Sequence, residues 1–190
     1  LRFGTLDEAT RLRVNDVLSE SQRLDKRISR LLNFSKVSSQ PLEPFELKPV
    51  IDQAVHEVKP RLDERGLRVQ VSVPAEPLVI HGHRERMVQS IIELLSNAME
   101  HMTGSGCVRV SGRREGGPKP HAIIDVIDEG TGIPERIRER VFDLFFTSKA
   151  EGHGIGLASV KRSVEFHGGE IRVVPRTERG AHFEIKLPLA

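Results

Sequence analysis

"DEGTGIPERIRERVFDLFFTSKAEGHGIGLASV", residues 128–160, gathers glycine into two short clusters: Gly130 with Gly132, then Gly152 with Gly154 and Gly156. An amphipathic stretch with paired phenylalanines and a lysine, Lys149, runs between them. A single loop explains one such cluster. Two clusters around one acidic residue and one lysine point to backbone that must approach a ligand closely, which a Cβ would prevent. The preceding "HAIIDVID" (residues 121–128) is an apolar strand that delivers Asp128 to its end. Its antiparallel partner is "CVRVSGR" (residues 107–113), across the turn "EGGPKP" (residues 115–120). On the other side, residues 154–167 read as a helix stopped at Gly168-Gly169. "EIRVVP" and "AHFEIKLP" then close the sheet as a hairpin.

The remaining segments fit the same architecture. Short strands are predicted at 45–47, 67–73 and 77–82, and helices at 50–64, closed by Gly66, and at 84–102. Residues 133–148 are mixed, with a short helix after Pro134. The expectation is an α/β (α+β) two-layer sandwich, a mainly antiparallel mixed sheet with helices on one face. It occupies residues 43–190.

Residues 10–38 have a different pattern. Val14, Ser21, Ile28 and Ser35 form one column of a seven-residue repeat, and Val17, Leu24 and Leu31 the other; Leu18, Leu32 and Phe34 widen the stripe. Such a seam needs a covering helix. The chain offers no matching long helix nearby, so the seam predicts a homodimer sharing a helical bundle. The alternative is that the helix folds back on the following domain. Pro41 and Pro44 end it and form the linker, so residues 1–42 are expected to be a separate helical region.

Composition narrows the function classes. The formal net charge is +2 and the only aromatic residues are eight phenylalanines, which disfavours a nucleic-acid binder. One cysteine, Cys107, cannot make an internal disulfide and fits a reducing compartment. No apolar run reaches the length of a membrane span and no signal peptide is visible, so a cytoplasmic location without membrane contact is expected. The first residue is Leu1 rather than Met, which implies a fragment whose parent protein extends further.

Helix 84–102 carries chemistry on one flank. Met87, Val88, Ile91, Ile92, Leu95, Met99 and Met102 form the apolar face, whereas Glu93, Asn97 and His101 step by four along another. A carboxylate, an amide oxygen and an imidazole in one column suit a magnesium ion that takes its other ligands from water and phosphates; a plain solvated face is the alternative. Asp128 at a strand end can accept a hydrogen bond from an exocyclic amine such as that of adenine, or merely cap a tight turn. "EGHGIGLASV" runs into a helix, whose free N–H groups make an anion site; a flexible loop would look the same. Phe142, Phe145 and Phe146 would lie on one side, as core or as the anchor of a mobile segment that carries Lys149 toward phosphate.

In order, these motifs resemble the ATP-binding domain of histidine kinases, part of the wider family shared with gyrase, the ninety-kilodalton chaperone and the mismatch-repair ATPase. "ELLSNA" (residues 93–98) looks like the N box, "DEGTGIP" (residues 128–134) the G1 box, "FDLFF" (residues 142–146) the F box and "GHGIGLASV" (residues 152–160) the G2 box. "ESQRLDKRISRLLNFSKV" (residues 20–37) resembles the second helix of the kinases' dimerisation and phosphotransfer bundle.

The resemblance implies the Bergerat ATP-binding fold, with Mg²⁺ and ATP as cofactors. Asn97 would hold magnesium, helped by Glu93, and Asp128 would read the adenine amine. Gly130 and Gly132 would shape the base pocket, and Gly152, Gly154 and Gly156 would wrap the phosphates. His101, Ile133, Phe146, Lys149, His153, Ile155 and Leu157 would complete the binding set. Glu93, Asn97 and Lys149 would be the catalytic residues. Two positions depart from the kinase pattern: Glu93 stands where many kinases carry Asn, and Glu100 where Lys is frequent. The implied function is transfer of the γ-phosphoryl of Mg-ATP to a bundle histidine, then to an aspartate on a response regulator receiver domain. The first histidine is His56, past the linker, so this chain alone would not phosphorylate itself. Glu93 leaves open an ATP-hydrolysing conformational switch with that carboxylate as general base. A dimerisation module with a dead nucleotide site is the third reading, opposed by the intact Asn97, Asp128 and glycine sets.

Overall fold

The computed structural model describes residues 41–149 and 152–190, together with 7, 8, 10–15, 17, 18 and 21 nearer the N-terminus. The chain divides into two compact units, Leu1–Ser38 and Ser39–Ala190.

In the first unit, residues 8, 10–15, 17, 18 and 21 are helical. The helix starts before the predicted Thr10 because Asp7 caps it: the Thr10 N–H donates to Asp7 Oδ1 at 2.8 Å. That bond holds the Asp7 carboxyl below its ordinary pKa. Val14, Val17 and Leu18 of the seam are exposed. The rest of the predicted seam, Leu24, Ile28, Leu31, Leu32, Phe34 and Ser35, lies outside the described residues.

The second unit opens with β1 (Glu43–Glu46), which pairs antiparallel with β3 (Val79–Gly82) in a two-stranded ribbon of its own. The strand predicted at 45–47 ends sooner, because Leu47 already begins helix α1 (Leu47–Glu64). Pro49 does not delay that helix, since first-turn N–H groups have no intrahelical partner to lose. Leu47, Val50, Ile51, Ala54, Val58 and Leu62 recur at helical spacing and are all buried. Gly66 closes the helix at φ 66°.

The main sheet has five strands in the order β2-β4-β5-β7-β6: β2 (Leu67–Ser72), β4 (Gly106–Glu115), β5 (His121–Ile127), β7 (His182–Pro188) and β6 (Glu170–Val173). Only the β2–β4 pairing is parallel, so the sheet is mixed and mainly antiparallel, as expected. Val108, Val110, Ala122, Ile124, Val126, Phe183, Ile185 and Leu187 alternate onto one face and join the helices in a common core.

Helix α2 (Arg84–His101) packs on α1, and its Met87, Val88, Ile91, Leu94, Leu95, Ala98 and Met99 are buried in the common core. Ile92, predicted on this face, is only half-buried, and Leu94 is fully buried in its stead. Each fully buried side chain of this kind contributes about 1.5–3 kcal/mol. Helix α3 (Gly156–Phe166) begins two residues later than predicted, because Gly154 sits at φ 62°, outside helical space. It stops where Gly168 turns at φ 69°.

Two short 3₁₀ turns, Glu135–Ile137 and Arg140–Phe142, occupy the mixed segment. The three phenylalanines do not share a side, contrary to the expectation. Phe142 is buried edge-on against Phe183, with ring centroids 6.2 Å apart. Phe146 is half-buried under the Arg140 guanidinium, 4.9 Å from its centroid. Phe145 is 61% exposed. Its φ of 69° turns it outward, and its N–H donates to the Gly154 carbonyl at 2.9 Å. Among the described residues no helix is long and apolar enough to cross a membrane.

Candidate functional site

The site is framed by α2, the loop after β5, and the start of α3. The core packing of α2 leaves Glu93, Asn97 and His101 half-buried along one flank, a column set by the four-residue step. A Cβ built on Gly156, the first residue of α3, would meet Glu93 Oε2 at 2.8 Å. The predicted N-box carboxylate and the G2-box helix therefore meet directly, and a carboxylate at a helix N-terminus is favoured by the free N–H groups there.

Asp128 follows β5 and is only 2% exposed. Its Oδ1 accepts from the Gly130 N–H at 2.8 Å and from the Ala181 N–H at 3.0 Å. Both bonds fall on one oxygen, so among the described residues Oδ2 takes none and remains available as an acceptor. This arrangement fits a ligand amine: the carboxylate is fixed by backbone while one oxygen stays free. A turn cap alone would use the Gly130 bond and no more.

The glycines are needed for space. A Cβ on Gly130 would lie 2.7 Å from the His101 carbonyl oxygen. Gly132, at φ 76°, packs on Gly180, whose carbonyl oxygen would be 3.0 Å from a Cβ. Gly180 is itself a residue the sequence reading passed over. It sits at φ 103° with no room for a side chain against the Asp128 carbonyl, and it places the Ala181 N–H on Asp128. The signal available was its position just before the last strand, in "RGAHFEI".

The segment after the F box reaches α2. Lys149 Nζ donates to Asn97 Oδ1 at 3.3 Å and pairs with the Glu100 carboxylate. Glu100, noted in the sequence only as a departure, thus has an opposite charge beside it. His101 is held below the ordinary histidine pKa, first by burial and then by the Lys149 charge, against the pull of Asp128 and Glu100. Its imidazole is therefore neutral at pH 7.

The structure thus brings together Glu93 with Gly156, Asn97 with Lys149, and His101 with Gly130 and Asp128. Gly152 meets only Thr147 and Lys149 of its own loop among its nearest neighbours. Ile155 is buried, whereas His153 and Leu157 are half-buried. Ile133 is half-buried, and its carbonyl accepts from Arg138 Nε at 3.3 Å. Among the described residues no group of three His, Cys, Asp or Glu could hold a metal by itself. A hard cation here would need phosphate and water ligands besides Asn97, which is the usual habit of magnesium.

Comparison with known proteins bears on the family and the fold. ZraS, a sensor histidine kinase of Salmonella typhimurium, is 31% identical over 170 residues, covering 90% of this chain and 36% of ZraS. The chain thus spans about a third of that relative. The mycobacterial sensor histidine kinase MprB has a solved structure with TM-score 0.69 and 32% identity, over 78% of this chain and 97% of that one. Full-length ShkA in complex with AMPPNP shares the fold at TM-score 0.80 and 24% identity, over 98% of this chain and 40% of ShkA. Residues 82–190, more than half of the chain, match the family model described as histidine kinase-, DNA gyrase B- and HSP90-like ATPase. With the acidic residue, the glycine turns and the α2 column all inside that match, this chain belongs to the histidine kinase-, DNA gyrase B- and HSP90-like ATPase family.

Proposed function

We propose that this chain is the ATP-binding catalytic core of a two-component sensor histidine kinase. The observation that carries the reading is Asp128: buried, locked through Oδ1 by the Gly130 and Ala181 N–H groups, and with Oδ2 left as an acceptor. An acceptor at that point suits the amine of adenine and opposes the carbonyl of guanine. His101, kept neutral, lines the base, with Gly130, Gly132, Ile133 and Phe146 around it. Gly152, His153, Gly154, Ile155, Gly156 and Leu157 form the phosphate wrap at the α3 N-terminus. Asn97 is the magnesium ligand, with Glu93 behind it.

Bound Mg-ATP supplies a γ-phosphoryl group whose developing charge the metal neutralises. The residues of this chain supply positioning. Lys149, which rests on Asn97 and Glu100, is the cation that turns to the phosphates when nucleotide enters. The acceptor imidazole forms a P–N bond as the bond from Pγ to the bridging oxygen breaks, and ADP leaves. In this reading residues 1–42 contribute to a dimerising bundle and residues 43–190 form the catalytic domain. The phosphoryl group passes on to a receiver-domain aspartate of a response regulator.

Glu93 supports a second reading. A carboxylate against the α3 N-terminus could orient a water for hydrolysis. Incubation with γ-labelled ATP separates the two. Label on a supplied acceptor helix from the full-length protein, acid-labile and alkali-stable, supports the kinase; release as free phosphate alone supports hydrolysis. Acid-labile, alkali-stable label on this chain by itself would place the acceptor among its own eight histidines and overturn the reading of a missing acceptor helix.

A further inference from the structure

A cavity of about 260 Å³ lies between the loop that follows Asp128 and the β6–β7 hairpin. No residue of α2 or α3 lines it, and neither Asp128 nor Asn97 does; it shares only the loop residues Gly132 and Ile133, and Gly180 and Ala181 beside them, with the site described above. Three arginines border it, Arg138, Arg176 and Arg179, against one carboxylate, Glu178. Two of them are tied to the loop in the same manner. Arg138 Nε donates to the Ile133 carbonyl at 3.3 Å, and Arg179 Nε to the Gly130 carbonyl at 3.2 Å. In each case the carbonyl occupies Nε, and the Nη fork is the part left to bind something else. The Arg176 side chain is 12% exposed and donates Nη2 to the exposed Glu178 at 2.8 Å.

A guanidinium stays charged in any environment a protein offers. Three of them against one glutamate leave a net charge of +2 around a small cavity. Such charges repel one another unless an anion is shared between them. A phosphate group carries about −1.5 to −2 at pH 7 and matches that charge, whereas a single carboxylate does not. Arginine forks also match phosphate oxygens in geometry. The volume falls just below the roughly 300–1,000 Å³ of pockets for drug-sized ligands, so the occupant is small.

We propose that this cavity binds a small phosphate-class oxyanion, as free phosphate or as the head of a phosphate ester. The ligand seats on Arg138, Arg176 and Arg179. Because Arg138 and Arg179 hold the carbonyls of Ile133 and Gly130, occupancy changes the set of the loop that follows Asp128. That consequence for nucleotide affinity rests on the nucleotide reading above; the binding itself does not, and it is measured without nucleotide.

The test is a titration of the isotope-labelled chain with inorganic phosphate at constant ionic strength, followed by backbone amide shifts. Saturable shifts at Val174, Arg176 and Ala181 are expected, with Kd about 1 mM or tighter. Arg179→Gln, at an exposed position, and Arg138→Gln should each weaken binding about tenfold with melting temperature preserved. Asn97→Ala should leave it unchanged. O-phosphoserine in place of phosphate distinguishes the ester from the free ion: saturation by either supports the site. The proposal is overturned if shifts do not saturate, if chloride reproduces them, if they fall only at Gly154 and Gly156, or if both arginine variants, still folded, bind phosphate as the parent does.

Discussion

Glu93 and Gly156 meet across the two elements that frame the site, with Glu93 Oε2 lying 2.8 Å from where a Gly156 Cβ would stand. The nearest atom is the far end of a flexible side chain, so the clash is cheap to relieve. Gly156→Ala should therefore fold, with a melting temperature equal to or above the parent, since alanine is the better helix residue by up to about 1 kcal/mol. Glu93 must still move, and the phosphate wrap loses its close approach. Nucleotide affinity is expected to fall about tenfold, near 1.4 kcal/mol. Gly154→Ala differs in kind: it puts a Cβ onto the backbone of Phe145 and Phe146 at φ 62°. That variant should lose both thermal stability and nucleotide binding. Thermal melts beside calorimetric titration separate the pair, and equal losses of stability would contradict the geometry.

Asp128 permits a cleaner substitution than most buried carboxylates. An asparagine there can keep its oxygen toward the Gly130 and Ala181 N–H groups and place its amide NH₂ where Oδ2 stands. Asp128→Asn should fold normally while offering a donor to a donor, a loss of about 1–3 kcal/mol in ATP affinity. Asp128→Ala strands two backbone N–H groups and should lower stability as well. Unchanged ATP affinity in a folded Asp128→Asn protein, measured by calorimetry, would sink the assignment.

Periodicity made most of this fold legible. Alternation in residues 121–128 and the stripe Met87, Val88, Ile91 and Leu95 are local consequences of one buried face, and the sequence carries them openly. Glycine spacing likewise marked Gly130, Gly132 and Gly154 as special. What stayed hidden depends on elements distant in the chain. The Ala181 N–H reaches Asp128 only because β7 pairs with β5, and Gly180 acquires meaning only against the Asp128 carbonyl. The Lys149–Glu100 pair spans α2 and a loop, so Glu100 looked like a missing cation rather than the partner of one. Phe145 was misplaced because its left-handed backbone is set by the Gly154 carbonyl, nine residues on.

Lys149 bridges Asn97 and Glu100 in a setting where its side chain is 31% exposed and that of Glu100 48%. Such a pair contributes only about 0–1 kcal/mol to stability, so removing it should barely move the melting temperature. Its effect should appear in nucleotide handling. Asn97→Ala is expected to abolish magnesium-dependent transfer with the fold intact, because Asn97 is outside the α2 core face. Lys149→Met should weaken ATP binding more at low salt than at high salt, as a screened cation does. A salt-independent loss would assign Lys149 to packing instead.

The N-terminal seam predicts dimers. Val14, Val17 and Leu18 are exposed in the single chain, as residues awaiting a partner helix would be. Leu24→Lys with Leu31→Lys should give monomers that still bind nucleotide. Sedimentation of the parent chain at tens of micromolar is the check, and a monomeric parent there counts against the seam.

His167 should make stability depend on pH. Its Nδ1 donates to the Ser163 carbonyl at 2.6 Å, and its Nε2 accepts the His83 backbone N–H at 2.9 Å. A carbonyl can only accept and a backbone N–H can only donate, so the ring must be the neutral tautomer bearing its proton on Nδ1. Burial holds its pKa below the usual value near 6.5, opposed by the Ser163 contact and reinforced by the His83 charge. The folded state therefore binds this proton less readily than the unfolded state does. The stabilisation is complete above about pH 6.5 and is lost as pH falls from there toward the folded pKa, at about 1.4 kcal/mol for each unit of difference. His167→Gln removes the titration. Other groups titrate too, so the readout is the stability gap between parent and variant from urea melts. It should be widest at about pH 7.5 and shrink steadily toward about pH 5. A gap that stays constant across that range would mean that His167 keeps its ordinary pKa and that protonation leaves the His83 bond intact.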